Sequence, residues 1–259
     1  MSKDSNLESS APRYIMSRRQ FSAATAGLGA AMVMHVASAQ DIPPGATPTG
    51  DPSTYPTTKV DAYVVGLHCA KEDPQMQMEA HHFCQVLADG TIQCALYDGG
   101  VVGSKLIGVE YIVSGDVFDT FPEEERQYWH PHNYEIISGV LNLLNAPDEG
   151  ERGLMEMLVN SYGKTWHTWH TGRPDGEGMP GDPAPFGEPT LQWSFNRDGE
   201  ADASLVASME ERLGIDVAAE RESRQDLASL MQPQSGVDDL KGAFPDAEEE
   251  PPEGVEDAG

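Results

Sequence analysis

A β-hairpin centred on Asp89-Gly90 is the feature that most constrains the fold of this chain. Segments of alternating polarity at residues 79–87 and 91–97 flank this pair, which is a strong signal for a tight turn between antiparallel strands. The segment 106–114 (LIGVEYIVS) alternates in the same way and is predicted to be a further strand. The first half of the domain is therefore expected to form an antiparallel sheet.

Helices are expected around this sheet. Apolar periodicity and flanking residues predict helices at residues 122–128, 151–162, 202–213 and 216–231, with Asp202 as an N-cap. Strands are expected at 60–67, 164–171 and 191–195, whereas 134–144 is ambiguous between strand and helix. The expected class is α+β: a single domain with a mainly antiparallel sheet, flanking helices and a helical C-terminal segment.

The N-terminus has the features of a twin-arginine export signal in the correct order. Arg18-Arg19 precede a weakly apolar run, and Ala37-Ser38-Ala39 offers a small-residue cleavage site. Because no other stretch is apolar enough to cross a bilayer, we expect a soluble protein that is periplasmic or secreted.

Composition divides the chain into four parts. Residues 1–39 are the predicted signal, 40–59 a linker rich in Pro, Gly and Thr, 60–231 the α+β domain, and 232–259 an acidic tail expected to be disordered. The formal net charge of −27 repels nucleic acid and anionic headgroups, so nucleic acid is excluded as a partner.

The three cysteines leave two alternatives open. A three-residue hairpin loop places Cys84 opposite Cys94 and permits a disulfide, whereas a two-residue turn places them on opposite faces. We slightly favour two buried thiols, which are common for free cysteine.

Histidines are the best candidates for chemistry, since seven of the eight lie between residues 68 and 170. Pro131 favours an extended His130, so His130 and His132 are expected to project to one side. Glu135 follows closely and would add a carboxylate. Two imidazoles and one carboxylate with open positions suit catalytic zinc or non-haem iron. The alternative is that these histidines cap a helix and bond to backbone.

His81 and His82 are adjacent on the first hairpin strand, so only one of them can face a given site. Glu110 lies within an otherwise apolar strand, where it is either exposed to solvent or a paired, buried group; the second case would make it a site candidate. The candidate ligands of a divalent transition metal, zinc or iron, are His81, His82, His130, His132 and Glu135.

Several blocks of this sequence resemble the oil body-associated protein family, which is also described as a domain of unknown function (DUF1264). They are EAHHFC (79–84), QCALYD (93–98), LIGVEYIVS (106–114), FPEEERQYWHPHNYEIISG (121–139) and YGKTWHTW (162–169). The export leader marks the chain as a bacterial exported member. The resemblance implies an α+β domain of undefined activity.

The family pattern includes the histidines that match the candidate ligands and the glutamate that matches Glu135, but not His167 or His170. The resemblance therefore argues against His167 and His170 as ligands. The name of the plant relatives implies, by analogy, a lipid or small hydrophobic ligand as partner.

The leading functional hypothesis is an exported protein with a His/Glu site for a metal or small ligand. The alternative is a non-enzymatic structural protein associated with lipid or another hydrophobe. A scaffold with a histidine-stabilised core is the third hypothesis.

Overall fold

The structure, a computed structural model, describes residues 51, 53 and 55–259. The predicted export signal and most of the linker at 40–59 lie outside the described residues. Within the described part, no helix has both the length and the apolar character that a bilayer-spanning segment requires.

Eight strands of the described chain form one sheet. They are β1 (Ala62–Ala70), β2 (Asp73–Val86), β3 (Ile92–Tyr97), β4 (Leu106–Ser114), β5 (His130–Pro131), β6 (Asn142–Leu143), β7 (Ser161–His167) and β8 (Thr190–Trp193). Strands β1, β2, β3, β4, β7 and β8 pair in that order, and β8 pairs again with β1. Six antiparallel strands therefore close into a barrel, which is more specific than the α+β class that the sequence predicts.

The described helices lie between and around these strands. They are α1 (Gly115–Phe118), α2 (Glu123–Arg126), α3 (Asn133–Ser138), α4 (Asp148–Leu158), α5 (Ala203–Leu213) and α6 (Val217–Ser223), with 3-10 helices at Pro56–Thr58 and Gln225–Leu230. Asp202 caps α5 by accepting hydrogen bonds from the backbone N–H groups of Ser204 and Leu205, as predicted. The helix expected at 216–231 is instead divided between α6 and the second 3-10 helix.

Strand β8 fills the gap between β1 and β7, which is here called the seam, at one end only. It pairs with residues 69–70 of β1 and with residues 166–167 of β7. At the other end, β6 pairs with residues 64–65 of β1, and β5 pairs with residues 162–163 of β7. Helix α3 lies between β5 and β6 in sequence, and all six of its residues are buried. This short segment therefore completes the barrel wall.

The inner face of β4 is the one that carries Glu110. The strand alternates as predicted, but two of its apolar side chains face outward and its carboxylate faces inward. Val109 and Tyr111 are 40% and 45% exposed, whereas Glu110 is 2% exposed. Glu110 is opposite Cys94 of β3 and Thr165 of β7, so its side chain projects from the same face as theirs. The carboxylate is thus the buried, paired group that was one of the two alternatives.

Cys84 and Cys94 form a disulfide between directly opposite residues of β2 and β3. The Leu87 N–H donates to the Thr91 carbonyl, which leaves a three-residue loop, and Gly90 adopts the left-handed conformation at φ 88°. The preference for two buried thiols was therefore wrong for this pair, because the loop is the longer of the two alternatives. Cys69 is a buried free thiol.

The acidic tail differs from the expected disorder. Val237, Leu240, Phe244 and Val255 are buried in the main hydrophobic core. The physical reason is that a few well-spaced apolar side chains anchor the segment, while most of its carboxylates remain exposed. Because acidic residues dominate the composition of the tail, the sequence predicted disorder and did not indicate that these four apolar side chains would be buried.

The packing of the tail predicts that Phe244→Ala lowers the free energy of unfolding by about 3–5 kcal/mol, since it removes a buried aromatic ring. Glu253→Ala is the matched control at an exposed position of the same segment, with an expected change within about 0.5 kcal/mol. Urea unfolding followed by circular dichroism measures both. Equal stability of the two variants would contradict the packed tail.

Candidate metal centre

Glu110 lies at the centre of a buried group of imidazoles inside the barrel. Its Oε2 is 3.0 Å from His82 Nε2. Its Oε1 is 3.4 Å from the Nε2 atoms of both His130 and His132. Strands β2, β4 and β5 and the residue before α3 supply these side chains, so segments distant in sequence meet at one carboxylate.

Three of these atoms form a nearly equilateral triangle. His130 Nε2 and His132 Nε2 are 3.2 Å apart, and each is 3.4 Å from Glu110 Oε1. Ligand atoms around a tetrahedral ion with bonds of about 2.0–2.1 Å are separated by about 3.3–3.4 Å. The triangle therefore has the spacing of three ligands of one ion, with a fourth position left over.

The hydrogen bonds of Ser161 fix the tautomer of His132. Ser161 Oγ donates to the Leu158 carbonyl at 2.7 Å, so its oxygen accepts from His132 Nδ1 at 2.8 Å. As a neutral imidazole, His132 therefore has its proton on Nδ1 and its lone pair on Nε2, which faces the triangle. This is the tautomer that a metal ligand requires.

Gly163 of β7 allows the triangle to lie against the backbone. A Cβ atom at this position would be 2.2 Å from Glu110 Oε1, 2.6 Å from His132 Nε2 and 2.7 Å from His130 Nε2. Any side chain would therefore force these three atoms apart. Glycine is required here by the close approach of the three polar atoms, not by a backbone angle.

A second chain of hydrogen bonds orients His68 of β1. His167 Nδ1 is 3.0 Å from Met78 Sδ, and because a thioether only accepts, His167 donates from Nδ1. His167 Nε2 then accepts from His68 Nδ1 at 3.2 Å, which leaves Nε2 of His68 unprotonated. His167, which the family resemblance argued against as a ligand, acts by orienting His68.

The protonation states of the centre follow from burial and mutual contact. Burial lowers the pKa of His68 well below its usual value, that of His130 to about 4 and that of His167 to about 3. Burial alone would raise the pKa of Glu110, but its close contacts with the imidazoles of His130, His132 and His82 hold it well below its usual range. Near neutral pH, the imidazoles of His68, His130 and His167 are thus neutral and the carboxylate of Glu110 is ionised.

Glu135 does not occupy the carboxylate position that the sequence predicts for it. Its Oε2 is 4.0 Å from His132 Nε2, and its buried Oε1 has no hydrogen-bond partner among the described residues. Burial, reinforced by the charge of Glu110, raises the pKa of Glu135 well above its usual range. Glu110 from β4 takes the place of Glu135 in the triangle, and Glu135 remains a protonated neighbour.

His81 lies on the opposite face of β2 from His82, as the alternation requires. Its Nε2 is 2.7 Å from Glu79 Oε1, and its Nδ1 is 2.7 Å from Tyr63 Oη. Glu79 also pairs with Arg212. His81 therefore belongs to a separate buried network and does not contribute an atom to the triangle.

A cavity of about 30 Å³ adjoins the centre. Its polar lining comprises His68, His82, Glu110, His132 and Glu135, and its apolar lining includes Val64, Ile92, Leu141, Leu154 and Leu158. This volume is about that of one water molecule in the liquid. The space beside the candidate ligands is therefore small and mostly apolar.

The family model described as "Protein of unknown function (DUF1264)" matches residues 54–228. The chain belongs to this family. Its matched region contains all the centre's residues and ends before the packed tail.

The protein is similar to plant oil body-associated proteins over most of its length. It is 36% identical to oil body-associated protein 1A of Zea mays over 188 residues, and this alignment covers 73% of this chain and 75% of that relative. It is 32% identical over 188 residues to protein 1B of Arabidopsis thaliana, covering 73% and 74%. Protein 2A of Zea mays is 34% identical over 189 residues, covering 72% of each. No solved structure matches the chain.

Sequence reasoning did not include Glu110 and His68 among the candidate ligands. The signal for Glu110 was a single carboxylate in an apolar strand. His68 lies on the inner face of β1 with Val64 and Gly66. Its position in this alternation was the only sequence signal that its side chain faces the interior of the barrel.

The depressed pKa values predict that the protein loses stability below about pH 6.5. A histidine in the unfolded chain has a pKa of about 6.5, whereas the pKa in the folded protein is about 4 for His130 and about 3 for His167. Between these pH values only the unfolded state binds the protons, so unfolding is favoured as the pH falls. His167→Gln should make the fall shallower by about 1.4 kcal/mol per pH unit between pH 6 and 4. Denaturant unfolding in EDTA at several pH values measures this slope.

Glu135→Gln is the control of opposite sign. Because the raised pKa of Glu135 makes the folded state bind the extra proton, its removal should steepen the loss of stability on acidification. Parallel slopes for the two variants and the wild-type protein would contradict the protonation states described above.

Proposed function

We propose that the protein binds a divalent transition metal, zinc or iron, inside its barrel through His130, His132 and Glu110. The observation that carries the proposal is the triangle of ligand atoms, with edges of 3.2, 3.4 and 3.4 Å. The neutral imidazole of His130 and the ionised carboxylate of Glu110 support it, because a metal ion binds these deprotonated forms.

Two imidazoles and one carboxylate leave coordination positions open, as in catalytic zinc and non-haem iron sites. The adjoining cavity of about 30 Å³ has room for a small further ligand such as water. Glu135, whose pKa is raised by burial, lines the same cavity and would exchange a proton with such a ligand. The centre therefore suits activation of water or another very small molecule.

A purely structural histidine core is less consistent with the polar atoms of the centre. Within the described chain, His82 Nδ1, His130 Nδ1 and Glu135 Oε1 are buried without a hydrogen-bond partner. Each such atom costs about 1–3 kcal/mol of folding stability. A metal ion that draws these residues together would offset this cost, whereas a scaffold without an ion would be more stable with apolar residues.

We further propose that this chain is a bacterial member of the family that is exported to the periplasm by the twin-arginine route. The proposal is supported by Arg18-Arg19 and by Ala37-Ser38-Ala39 at the end of the apolar run. Since this route carries folded proteins, the metal would be bound before export.

Replacing both arginines of the signal, Arg18→Lys with Arg19→Lys, should retain the full-length protein in the cytoplasm. Lys3→Arg is the control because it keeps the charge and leaves the arginine pair intact. Immunoblots of periplasmic and cytoplasmic fractions measure the distribution. Unchanged periplasmic recovery of the double variant would exclude this route.

Metal analysis of the untagged protein tests the metal proposal. Wild-type protein should contain at least one equivalent of zinc or iron by mass spectrometry, because three ligand atoms are preassembled. His130→Ala, His132→Ala and Gly163→Ala should lose this metal, the last because its methyl group separates the ligand atoms. His81→Ala is the matched control, a buried histidine on the outer network of the barrel.

Folding of each variant is checked by circular dichroism. Metal-free wild-type protein that also fails to take up zinc or iron after refolding would contradict the proposal. If that protein instead bound to phospholipid vesicles, the result would favour the alternative of a lipid-associated structural protein, which the names of the plant relatives suggest.

A further inference from the structure

The two oxygens of Glu110 face different imidazoles. Oε1 is 3.4 Å from both His130 Nε2 and His132 Nε2, while Oε2 is 3.0 Å from His82 Nε2. Two groups of potential ligands among the described residues therefore share this carboxylate: Glu110 with His130 and His132, and Glu110 with His68 and His82. Within each group, one ligand atom per residue lies within 4.8 Å of the others.

We propose that the barrel holds two metal ions bridged by Glu110, with His68 and His82 as ligands of the second ion. This inference rests on the proposed function, which concerns the ion at His130 and His132. A carboxylate that directs one oxygen to each ion is suited to a pair of ions about 3.5–4 Å apart.

A single ion leaves His68 and His82 unexplained. Tetrahedral zinc is already supplied with three ligands by His130, His132 and Glu110 Oε1, and its fourth position takes the small exogenous molecule. The second oxygen of Glu110 and two further imidazoles then remain buried beside a filled site. A second ion uses all three.

His68 is prepared as a ligand by the residues behind it. The hydrogen bonds from His68 to His167 and from His167 to Met78 leave Nε2 of His68 unprotonated. Ligand histidines commonly hold their orientation through such a bond from the other ring nitrogen. Two residues, Met78 of β2 and His167 of β7, thus orient one imidazole that the first ion does not need.

His82 can offer Nε2 to a second ion by a change of tautomer. Its Nε2 lies at hydrogen-bond distance from Glu110 Oε2, and its Nδ1 has no partner among the described residues. In the neutral ring the single proton would move from Nε2 to Nδ1, which would leave the lone pair of Nε2 for the ion. This change of tautomer needs no oxidant or reductant and no net transfer of a proton to solvent.

The cavity lies between the two groups. Its polar lining includes His68 and His82 of one group, His132 of the other, and the shared Glu110. Its volume of about 30 Å³ accommodates one water-sized molecule. Such a molecule would lie beside candidate ligands of both ions.

Stoichiometry of the untagged, full-length protein tests this proposal. Protein stripped with EDTA is dialysed against buffered zinc, and bound metal is measured by mass spectrometry. Wild-type protein and the His81→Ala control should each bind two equivalents, whereas His68→Ala and His82→Ala should each bind one. Reconstitution with Mn²⁺ gives an independent measurement, because two bridged ions produce an exchange-coupled paramagnetic resonance spectrum and a single ion does not.

One equivalent in wild-type protein, unchanged in His68→Ala, would overturn the second ion and leave the proposed function intact. No bound metal in wild-type protein would overturn the proposed function itself. If neither variant at His68 or His82 folds, the Mn²⁺ spectrum of wild-type protein decides the question, since two uncoupled ions would exclude the bridge.

Discussion

The negative charge of Glu110, buried inside the barrel, determines the arrangement around it. An ionised carboxylate in a protein interior is tolerated only where donors or cations surround it. Here three imidazoles from β2, β5 and the start of α3 contact its two oxygens. The glycine at position 163 removes the one side chain that would stand between these groups and the wall. The buried polar groups around Glu110 and the packing of the barrel wall at Gly163 therefore depend on each other.

Closure of the barrel and assembly of the centre depend on the same short segment. β8 reaches across only one end of the seam between β1 and β7, and the residues from β5 to β6 complete the other end. His130 and His132 belong to that segment, and Gln234 from the tail holds it by accepting from the Asn133 N–H and donating to the Ser161 carbonyl. A change that loosens this part of the wall should also separate the ligand atoms, even when it lies far from them in sequence.

Local patterns in the sequence were sufficient for most individual elements but not for their closure. Alternation identified β3 and β4, and Asp202 identified the start of α5, because these signals lie within a few residues. Alternation could not tell which face of β4 points inward, since that depends on pairing between β8 and β1, more than 100 residues apart. The choice between Glu110 and Glu135 as the central carboxylate depended on this same pairing. Whether Cys84 lies opposite Cys94 depended on a difference of one residue in the length of the hairpin loop. The packing of the tail depended on four apolar residues within a mostly acidic segment.

The cavity beside the centre is partly open, which has a consequence for how its contents exchange. Its lining extends from the buried imidazoles to the exposed side chain of Val86, so a solute reaches the centre where this lining meets the surface. An ion held there would therefore enter and leave through this opening, at a rate set by the side chains around it.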